Sequence, residues 1–239
     1  MPVFQLTKKL IFPSAELAED NGLLAVGGDL SPERLLLAYR NGIFPWYSEG
    51  DPILWWSPSP RLVIFPADFK IPKRLSRLMR QEKFSITIDH AFRQVIAACA
   101  STDKRREKGT WITNDMLVAY CQLHDKGYAH SIECWLDDEL TGGLYGISLG
   151  GIFFGESMFS AQPNSSKIAL VHLLKKMQEW DFDLIDCQMK TEHLMQFGAR
   201  EISGTDFREI LAISIESTGH KGKWRPACFV QGKKFWQKL

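Results

Sequence analysis

Residues able to move a proton stand in two short clusters within the apolar stretch from Gly142 to Gln188. Glu156 and Ser157 follow a Gly-rich run, and Asp186 and Gln188 are two apart in the run LIDCQ. Side chains two apart on a strand project to one face, so Asp186 and Gln188 are predicted to act together. A carboxylate there can accept a proton, and an amide can donate a hydrogen bond to a carbonyl oxygen. The two clusters predict a catalytic or binding site.

The apolar pattern predicts the elements that position these clusters. The apolar runs 147–154 and 184–188 have strand length, and 168–177 has helical spacing. The predicted order is strand, strand, helix, strand. Ser165 and Ser166 stand at the expected N-cap, so the first N–H groups of this helix would lie near Glu156 and Ser157. Such a helix end suits an anion or a developing oxyanion.

Composition restricts the class of protein. The 239 residues favour one large domain, alone or with a small one, and 45% hydrophobic with 24% charged residues is typical of soluble proteins. We expect no membrane association, because no apolar run approaches the roughly 20 residues of a membrane span. The N-terminus does not resemble a signal peptide, which favours a cytoplasmic location.

Cysteine and histidine spacing argues against a metal or a disulfide framework. The five cysteines include no CxxC pair, and no HExxH motif occurs. The cysteines are therefore expected to be reduced core thiols, and His130 and His193 to be packed or surface residues. No metal and no cofactor are predicted.

Basic residues form three local clusters in a chain whose net charge is only +1. The first lies at helical spacing and comprises Lys70, Lys73, Arg74, Arg77, Arg80 and Lys83. The others are residues 104–108 and 221–225. Each alone is typical of a solvated surface, but three together favour contact with phosphates.

The first sixty residues contain the helix start and stop signals of a small folded unit. Ser31 and Pro32 predict a helix N-terminus, the helix runs from Glu33 to Arg40, and Asn41-Gly42 ends it. Three tryptophans, Trp46, Trp55 and Trp56, follow among four prolines. They are either a structural plug or a surface on which a base stacks, and the residues alone favour neither. From about Leu62 onward the pattern is that of one mixed α/β domain.

The long motifs NGLLAVGGDLSPERLLLAYRNGIFPWYSEGDPILWWSPSPR, GTWIT, HSIECW, GGLYGISLGGIFFGESMFS, SSKIAL and LIDCQ resemble the bacterial leucyl/phenylalanyl-tRNA–protein transferases. The resemblance covers nearly the whole chain. It implies an α+β (mixed α/β) fold, in which a GNAT-like acyltransferase domain with a mostly antiparallel central sheet (63–239) follows a small N-terminal α+β domain (1–62). The implied activity moves Leu or Phe from Leu-tRNA or Phe-tRNA to proteins with N-terminal Arg or Lys, creating an N-degron.

The residues agree with an aminoacyl-tRNA donor. There is no GxxxxGK[ST] phosphate loop, and the glycines of GGLYGISLGG fall within strands. The helix opening at PNSSKIAL also lacks the loop by which GNAT enzymes hold coenzyme A. An aminoacyl ester is already activated, so no further cofactor is required.

The resemblance implies roles for particular residues. Asp186 and Gln188 are expected at the reacting centre, and Glu156 is expected to orient the adenosine or the incoming cation, or to form a buried salt bridge. The expected aminoacyl pocket consists of Leu144, Phe153, Leu170, Leu173, Met177 and Ile185. The expected tRNA-binding residues are Trp46, Trp111, Ser157, Lys73, Arg74, Arg77, Arg80 and Lys83. An apolar pocket distinguishes one methylene by only ~1–3 kcal/mol, so methionine is expected as a third donor.

Three positions depart from the family pattern. Ser59 stands where Asp is usual, Gly204 where Arg is expected, and Gln196 where a small residue is common. We expect activity to survive, with a polar link missing near the turn at 202–207. Two alternatives remain open: a peptidoglycan-type aminoacyl-tRNA-dependent transferase, and a non-catalytic module that binds the tRNA end. A monomer is expected.

Overall fold

Two β-sheets carry the chain in this computed structural model, which describes residues 3–101, 110–217, 219, 220, 222 and 224. A four-stranded sheet has the order β1-β2-β4-β3, and a seven-stranded sheet has the order β11-β5-β10-β9-β8-β7-β6. The strands of the smaller sheet are β1 (Phe4–Leu6), β2 (Leu23–Gly27), β3 (Phe44–Pro45) and β4 (Leu54–Trp56). Those of the larger sheet are β5 (Arg61–Ile64), β6 (Ser85–Ile88), β7 (Ala129–Leu136), β8 (Glu139–Leu149), β9 (Ile152–Ser160), β10 (Leu184–Gln188) and β11 (Arg200–Ile202).

Helices cover both faces of the larger sheet. The α-helices in the described ranges are α1 (Pro32–Arg40), α2 (Lys73–Met79), α3 (Phe92–Ala100), α4 (Asn114–Asp125), α5 (Ser165–Glu179), α6 (Glu192–Met195) and α7 (Gly204–Ser214). One apolar core contains α1, α3, α4 and the smaller sheet, and a second core contains α2 and α5. The larger sheet is therefore buried on both sides, and its strands read as nearly continuous apolar runs.

The larger sheet is mostly antiparallel, which confirms the expected architecture. Its strand pairs are antiparallel except for β9 with β10, which run parallel. The parallel pair follows from the order strand, helix, strand, because α5 carries the chain back to the starting edge. The predicted order of strand, strand, helix and strand is confirmed by β8, β9, α5 and β10.

The N-terminal helix begins where the sequence predicts. Ser31 is the N-cap of α1 and its hydroxyl accepts the N–H of Arg34 at 3.4 Å, while Asn41 is the C-cap. The Arg34 side chain is buried and donates to the carbonyls of Thr7 and Lys9, which fixes the first strand against this helix. These contacts give the small unit its own internal framework.

Three predicted boundaries are wrong. The run 147–154 is not one strand, because Gly150 adopts φ +56° and turns the chain between β8 and β9. The N-cap of α5 is Asn164 in the left-handed conformation, and Ser165 is the first helical residue. The basic helix ends at Met79, so Lys83 lies beyond it.

Close packing explains one glycine of the Gly-rich strands. A Cβ on Gly142 would lie 2.2 Å from the Ser165 hydroxyl, so only glycine admits the first turn of α5 at this distance from β8. The Ser165 hydroxyl donates to the Thr141 carbonyl at 2.7 Å, which pins the helix start to the strand. The expectation that these glycines fall within strands is met at Gly142, but it is wrong at Gly150 and Gly151, which form the turn between β8 and β9.

Candidate active site

A cavity of about 400 Å³ opens where β9 and β10 stop pairing. The last paired residues of these two strands are Phe154 and Asp186, and the chain immediately beyond them lines the cavity. The lining residues are Phe44, Pro45, Trp46, Trp111, Leu144, Tyr145, Phe153, Gly155, Glu156, Ser157, Met158, Leu170, Leu173, Ile185, Cys187, Gln188, Met189, Thr191, His193 and Leu194. The diverging strands thus expose consecutive side chains that a fully paired sheet would have buried.

Five of the six residues predicted for the aminoacyl pocket line the cavity, and their contact with an aminoacyl group stays a prediction. These are Leu144, Phe153, Leu170, Leu173 and Ile185. The prediction for Met177 is wrong: this residue lies one turn beyond Leu173 on α5 and is fully buried in the core. Met158 also lines the cavity and was missed, although its position two residues after Glu156 on one strand is a usable signal.

Glu156 lies at the polar end of this cavity. Its Oε1 accepts hydrogen bonds from the Tyr39 hydroxyl at 2.7 Å and from Gln188 Nε2 at 3.0 Å. Its Oε2 accepts from the Tyr120 hydroxyl at 2.9 Å. Burial raises the pKa of Glu156 to about 7, the tyrosine hydrogen bonds oppose that rise, and Asp186 adds to it. Glu156 is therefore a carboxyl group that changes its charge near neutral pH.

Tyr39 and Tyr120 are the functional residues that sequence reasoning missed. Tyr39 comes from α1 and Tyr120 from α4, and their hydroxyls lie 2.5 Å apart. Burial raises the pKa of both hydroxyls well above the usual range, so both stay protonated and can donate to Glu156. No sequence signal places them together, because both occupy apolar positions of amphipathic helices.

Asp186 does not stand free beside the cavity, as its expected role at the reacting centre implies. Its carboxylate is fully buried and receives two hydrogen bonds from Arg61, Nε to Oδ1 at 2.8 Å and Nη2 to Oδ2 at 2.6 Å. The Arg61 guanidinium lies between the rings of Phe44 and Phe207, with Cζ 4.8 and 4.7 Å from their centroids. Asp186 is thus one half of a buried ion pair, and it does not line the cavity.

The expectation that Asp186 and Gln188 share one strand face is also wrong. A bulge interrupts β10 between them, and Gln188 adopts φ +62°. The Gln188 N–H donates to Asp186 Oδ1 at 2.8 Å, while its side chain turns into the cavity to reach Glu156. Asp186 therefore contacts the site through Gln188.

Aromatic residues also line the cavity. Trp46 is 37% exposed, and both it and Trp111 line the cavity together with Ser157. The Trp56 indole donates to the Trp46 carbonyl at 2.6 Å, and the two rings lie 5.6 Å apart. Trp55 is fully buried and donates to the Gly27 carbonyl. The structural interpretation of Trp55 and Trp56 agrees with these contacts.

The first turn of α5 is not part of the cavity. The residues of α5 that line it are Leu170 and Leu173, whereas Ser165 contacts Thr141 and Ser160 at the far end of β9. The predicted oxyanion site at this helix N-terminus is therefore wrong. The helix contributes apolar wall instead.

The basic residues of the first cluster are exposed on α2 and on either side of it. Lys70 precedes the helix, Lys73, Arg74 and Arg77 lie on it, and Arg80 and Lys83 follow it, while Leu75 and Met79 face the core. None of them lines the cavity, and their contact with phosphates stays a prediction. The predicted clusters at 104–108 and at 221, 223 and 225 lie outside the described residues.

The histidines and cysteines show no metal arrangement among the residues that can be described. His130 is buried with Nδ1 2.8 Å from Asp89, as expected of a packed histidine. His193 instead lines the cavity. Burial lowers its pKa, and the nearby positive charge of Lys167 lowers it further. Four cysteines are free thiols, of which Cys187 lines the cavity, and Cys228 lies outside the described ranges.

The cavity combines an apolar chamber with the Glu156 carboxyl and the Gln188 amide. Such a site can bind an apolar group and form hydrogen bonds to the polar atoms next to it. Comparison with known proteins identifies the family. The family model "Leucyl/phenylalanyl-tRNA protein transferase" matches residues 63–212, and the model of its N-terminal domain matches 28–59. The chain belongs to the leucyl/phenylalanyl-tRNA protein transferase family.

Relatives with that name are similar over nearly their whole length. The protein from Syntrophobacter fumaroxidans is 56% identical over 94% of this chain and 96% of its own. Those from Desulforapulum autotrophicum and Desulfotalea psychrophila are 53% and 54% identical over 94% of this chain, covering 98% and 99% of theirs. Among solved structures, L-PGS from Bacillus licheniformis aligns with a TM-score of 0.37 and 13% identity, covering 78% of this chain and 63% of that one. That likeness is too distant to indicate function.

Proposed function

We propose that this chain transfers leucine or phenylalanine from aminoacyl-tRNA to the N-terminal amino group of a protein. The observation that carries the proposal is the apolar chamber that ends at Glu156 and Gln188, in a chain of this family. Five apolar residues predicted for an aminoacyl side chain line it, and Met158 adds a flexible one. A chamber of this kind also accepts methionine.

The donor enters with its side chain in the chamber and its adenosine between the aromatic residues at the opening. Trp46 and Trp111 both line the cavity, which supports this role, and stacking is worth about 1–3 kcal/mol per base. This arrangement leaves the ester carbon next to Gln188 and Glu156. Ser157 lines the same cavity, which supports a contact with the terminal nucleotide.

The reaction requires one nucleophilic attack and one proton transfer. The acceptor nitrogen attacks the ester carbonyl carbon, the C–O bond to the ribose breaks, and the proton lost by the amine ends on the released ribose hydroxyl. Glu156 is suited to relay that proton, because a pKa of about 7 lies near that of an α-amino group. Gln188 donates a hydrogen bond that can turn from Glu156 to the substrate carbonyl. Asp186 serves this centre by holding the Gln188 backbone.

Glu156 also suits acceptors that begin with Arg or Lys. It is the carboxyl group among the described residues that line the cavity, so a cationic side chain next to the reacting amine would find its charge partner there. Acceptance of N-terminal Arg or Lys, and with it the creation of an N-degron, forms part of the proposal.

Several expectations stay predictions. They are the division into domains at 62 and 63, the cytoplasmic location and the monomeric state. In the described residues no helix is long and apolar enough to cross a membrane. The matches to the two family models lie on either side of the predicted domain boundary.

One assay tests the proposal and its alternatives. Labelled Leu-tRNA is mixed separately with a peptide that begins with Arg, with a peptide that begins with Ala, and with a peptidoglycan precursor. Transfer to the Arg peptide alone supports the proposal. Transfer to a peptidoglycan precursor instead would favour the peptidoglycan-type enzyme, and binding without transfer would favour the tRNA-end module.

A variant tests the chamber itself. Leu173→Trp fills the chamber from α5, so we expect it to suppress Phe transfer far more than it weakens binding of deacylated tRNA. Leu211→Met, at a buried position of α7 outside the cavity, is the matched control for a change in packing. Equal loss of transfer and binding in Leu173→Trp would contradict the assignment.

A further inference from the structure

Trp224 packs against the wall of the apolar chamber but does not line the cavity. Its side chain is 4% exposed, and its ring stacks on that of His130 at 3.8 Å with a 5° interplanar angle. The ring also lies 5.9 Å from that of Phe153, and Trp180 packs against its edge at 5.1 Å. Trp224 therefore contacts Phe153, a residue of the chamber wall, but does not line the cavity itself.

Hydrogen bonds fix the position of Trp224. Its backbone N–H donates to Asp89 Oδ2 at 3.2 Å, and its indole N–H donates to the His220 carbonyl at 3.1 Å. The same Asp89 oxygen lies 2.8 Å from Nδ1 of His130, so one carboxylate binds both the His130 ring and the Trp224 backbone. The Ser131 N–H donates to the other oxygen of Asp89 at 2.9 Å. These hydrogen bonds fix the indole next to the Phe153 ring.

Phe153 is confined from a second direction by β8. A Cβ on Gly146 would lie 2.5 Å from Phe153 Cε1 and 2.6 Å from Cζ, so the ring tip rests on the glycine backbone. The ring is then held between Gly146, Trp224 and the cavity. Interiors are close-packed, so the indole fills space beside the Phe153 ring into which that ring could otherwise move.

We propose that Trp224 is a positioning residue that sets the depth of the aminoacyl chamber through Phe153. Removing the indole lets the Phe153 ring move back and enlarges the chamber. A larger chamber suits phenylalanine better than leucine, because leucine no longer fills it. The inference rests on the proposed function, since the chamber must hold the transferred amino acid.

The test measures donor selectivity in full-length protein. We expect Trp224→Ala to raise the ratio of kcat/KM for Phe-tRNA to that for Leu-tRNA by about tenfold, the lower end of what a difference in apolar pocket size gives. Trp224→Phe retains a ring and should shift the ratio less, with Trp224→Leu between the two. A merely structural role would lower both values together and leave the ratio unchanged.

Trp135 provides the matched control. It is buried, its indole donates to the Thr87 hydroxyl at 2.8 Å, and it does not line the cavity. Trp135→Ala should lower thermal stability without changing the ratio. A ratio that stays constant across the Trp224 series, or that moves equally in Trp135→Ala, overturns the proposal.

The proposal can also be tested if Trp224→Ala does not fold or if the wild-type protein shows no transfer. If Trp224→Ala does not fold, the order of the ratio across wild type, Trp224→Phe and Trp224→Leu decides the matter. If wild-type protein transfers neither amino acid, the proposed function fails by itself. Binding of stable amide analogues of leucyl- and phenylalanyl-adenosine to the same variants then tests the depth of the chamber, and an unchanged binding ratio overturns the proposal.

Discussion

The Ser59 hydroxyl accepts a hydrogen bond from the Gly204 backbone N–H at 3.0 Å, so two positions that depart from the family pattern contact each other. The expectation of a missing polar link near the turn at 202–207 is therefore wrong. A Cβ on Gly204 would lie 3.0 Å from the Ser59 hydroxyl and 3.1 Å from Arg208 Nη1. The glycine at 204 leaves room for the Ser59 side chain, and the Ser59 hydroxyl forms the polar link with the turn.

This contact predicts coupling between the two positions. Gly204→Arg alone crowds Ser59 and should destabilise the fold, whereas Ser59→Asp alone has Arg208 as a nearby cation and should change stability less. The double variant combines the two residue types usual in the family and should be more stable than the sum of the single effects by about 0.5–3 kcal/mol. Urea unfolding of the four proteins measures this coupling. Strict additivity would show that the two departures are independent.

The buried Arg61–Asp186 pair predicts that Asp186 supports transfer by holding the Gln188 backbone and does not itself move a proton. Arg61→Ala leaves a buried carboxylate unpaired and should cost about 3–5 kcal/mol of unfolding free energy. Asp186→Asn retains an oxygen that can accept the Gln188 N–H, so single-turnover transfer should fall less than about tenfold. A general base contributes about 10²–10⁴-fold.

Asp186→Leu is the informative companion variant. It removes the acceptor for the Gln188 N–H as well as the charge, so it should lose far more transfer than Asp186→Asn. Combining it with Arg61→Met replaces the ion pair with apolar side chains and should recover stability without recovering transfer. Equal and large losses in Asp186→Asn and Asp186→Leu would instead support a direct role of the carboxylate in proton transfer.

The sequence predicts those parts of the molecule that depend on local pattern. The cap at Ser31, the strand 184–188 and the apolar wall on α5 follow from residue type and spacing, and the structure has them. The bulge at Gln188 does not follow, because the alternation of a strand assumes that no residue leaves the ladder. This single irregularity turns Gln188 into the cavity, whereas Asp186 lies on the opposite face from its neighbours Ile185 and Cys187, which line the cavity.

Long-range partners lie beyond local pattern altogether. Arg61 precedes its partner Asp186 by 125 residues, and Tyr39 precedes Glu156 by 117. Both Tyr39 and Tyr120 lie on the buried faces of helices, where a tyrosine is indistinguishable from core in the sequence. Their convergence on one carboxyl is a property of the tertiary packing of α1 and α4 against the sheet.

Glu156 predicts a pH-dependent activity. Burial raises its pKa to about 7, so the carboxylate needed for the acceptor forms as the pH rises through 7. We expect kcat/KM for an Arg-starting peptide to rise with pH through that value, and Glu156→Gln to lack this step. Tyr39→Phe and Tyr120→Phe each remove a donor that lowers the Glu156 pKa, so each should move the midpoint upward. A midpoint that none of these variants moves would assign the step to the acceptor amine.

The same pKa predicts how Glu156 affects stability. Between about 4.5, its ordinary value, and about 7, the folded state binds more protons at Glu156 than the unfolded state does. The unfolding free energy relative to Glu156→Gln should therefore fall as the pH rises through this window and stay level above it. Denaturant unfolding of both proteins from pH 4.5 to 8 measures the difference. A difference that grows with pH would mean that the folded state favours the carboxylate.

The exposed basic residues of α2 predict the salt dependence of tRNA binding. Arg74 and Arg77 lie on the exposed side of this helix, and each neutralised phosphate adds about 0.7–0.9 to the slope of log affinity against log salt. Arg74→Gln with Arg77→Gln should weaken tRNA binding and reduce the slope by about one to two, while transfer from an aminoacyl-adenosine fragment stays unchanged. Arg93→Gln, at an exposed arginine paired with Asp125 on another face, is the control. An unchanged slope in the double variant would place the phosphate contacts elsewhere.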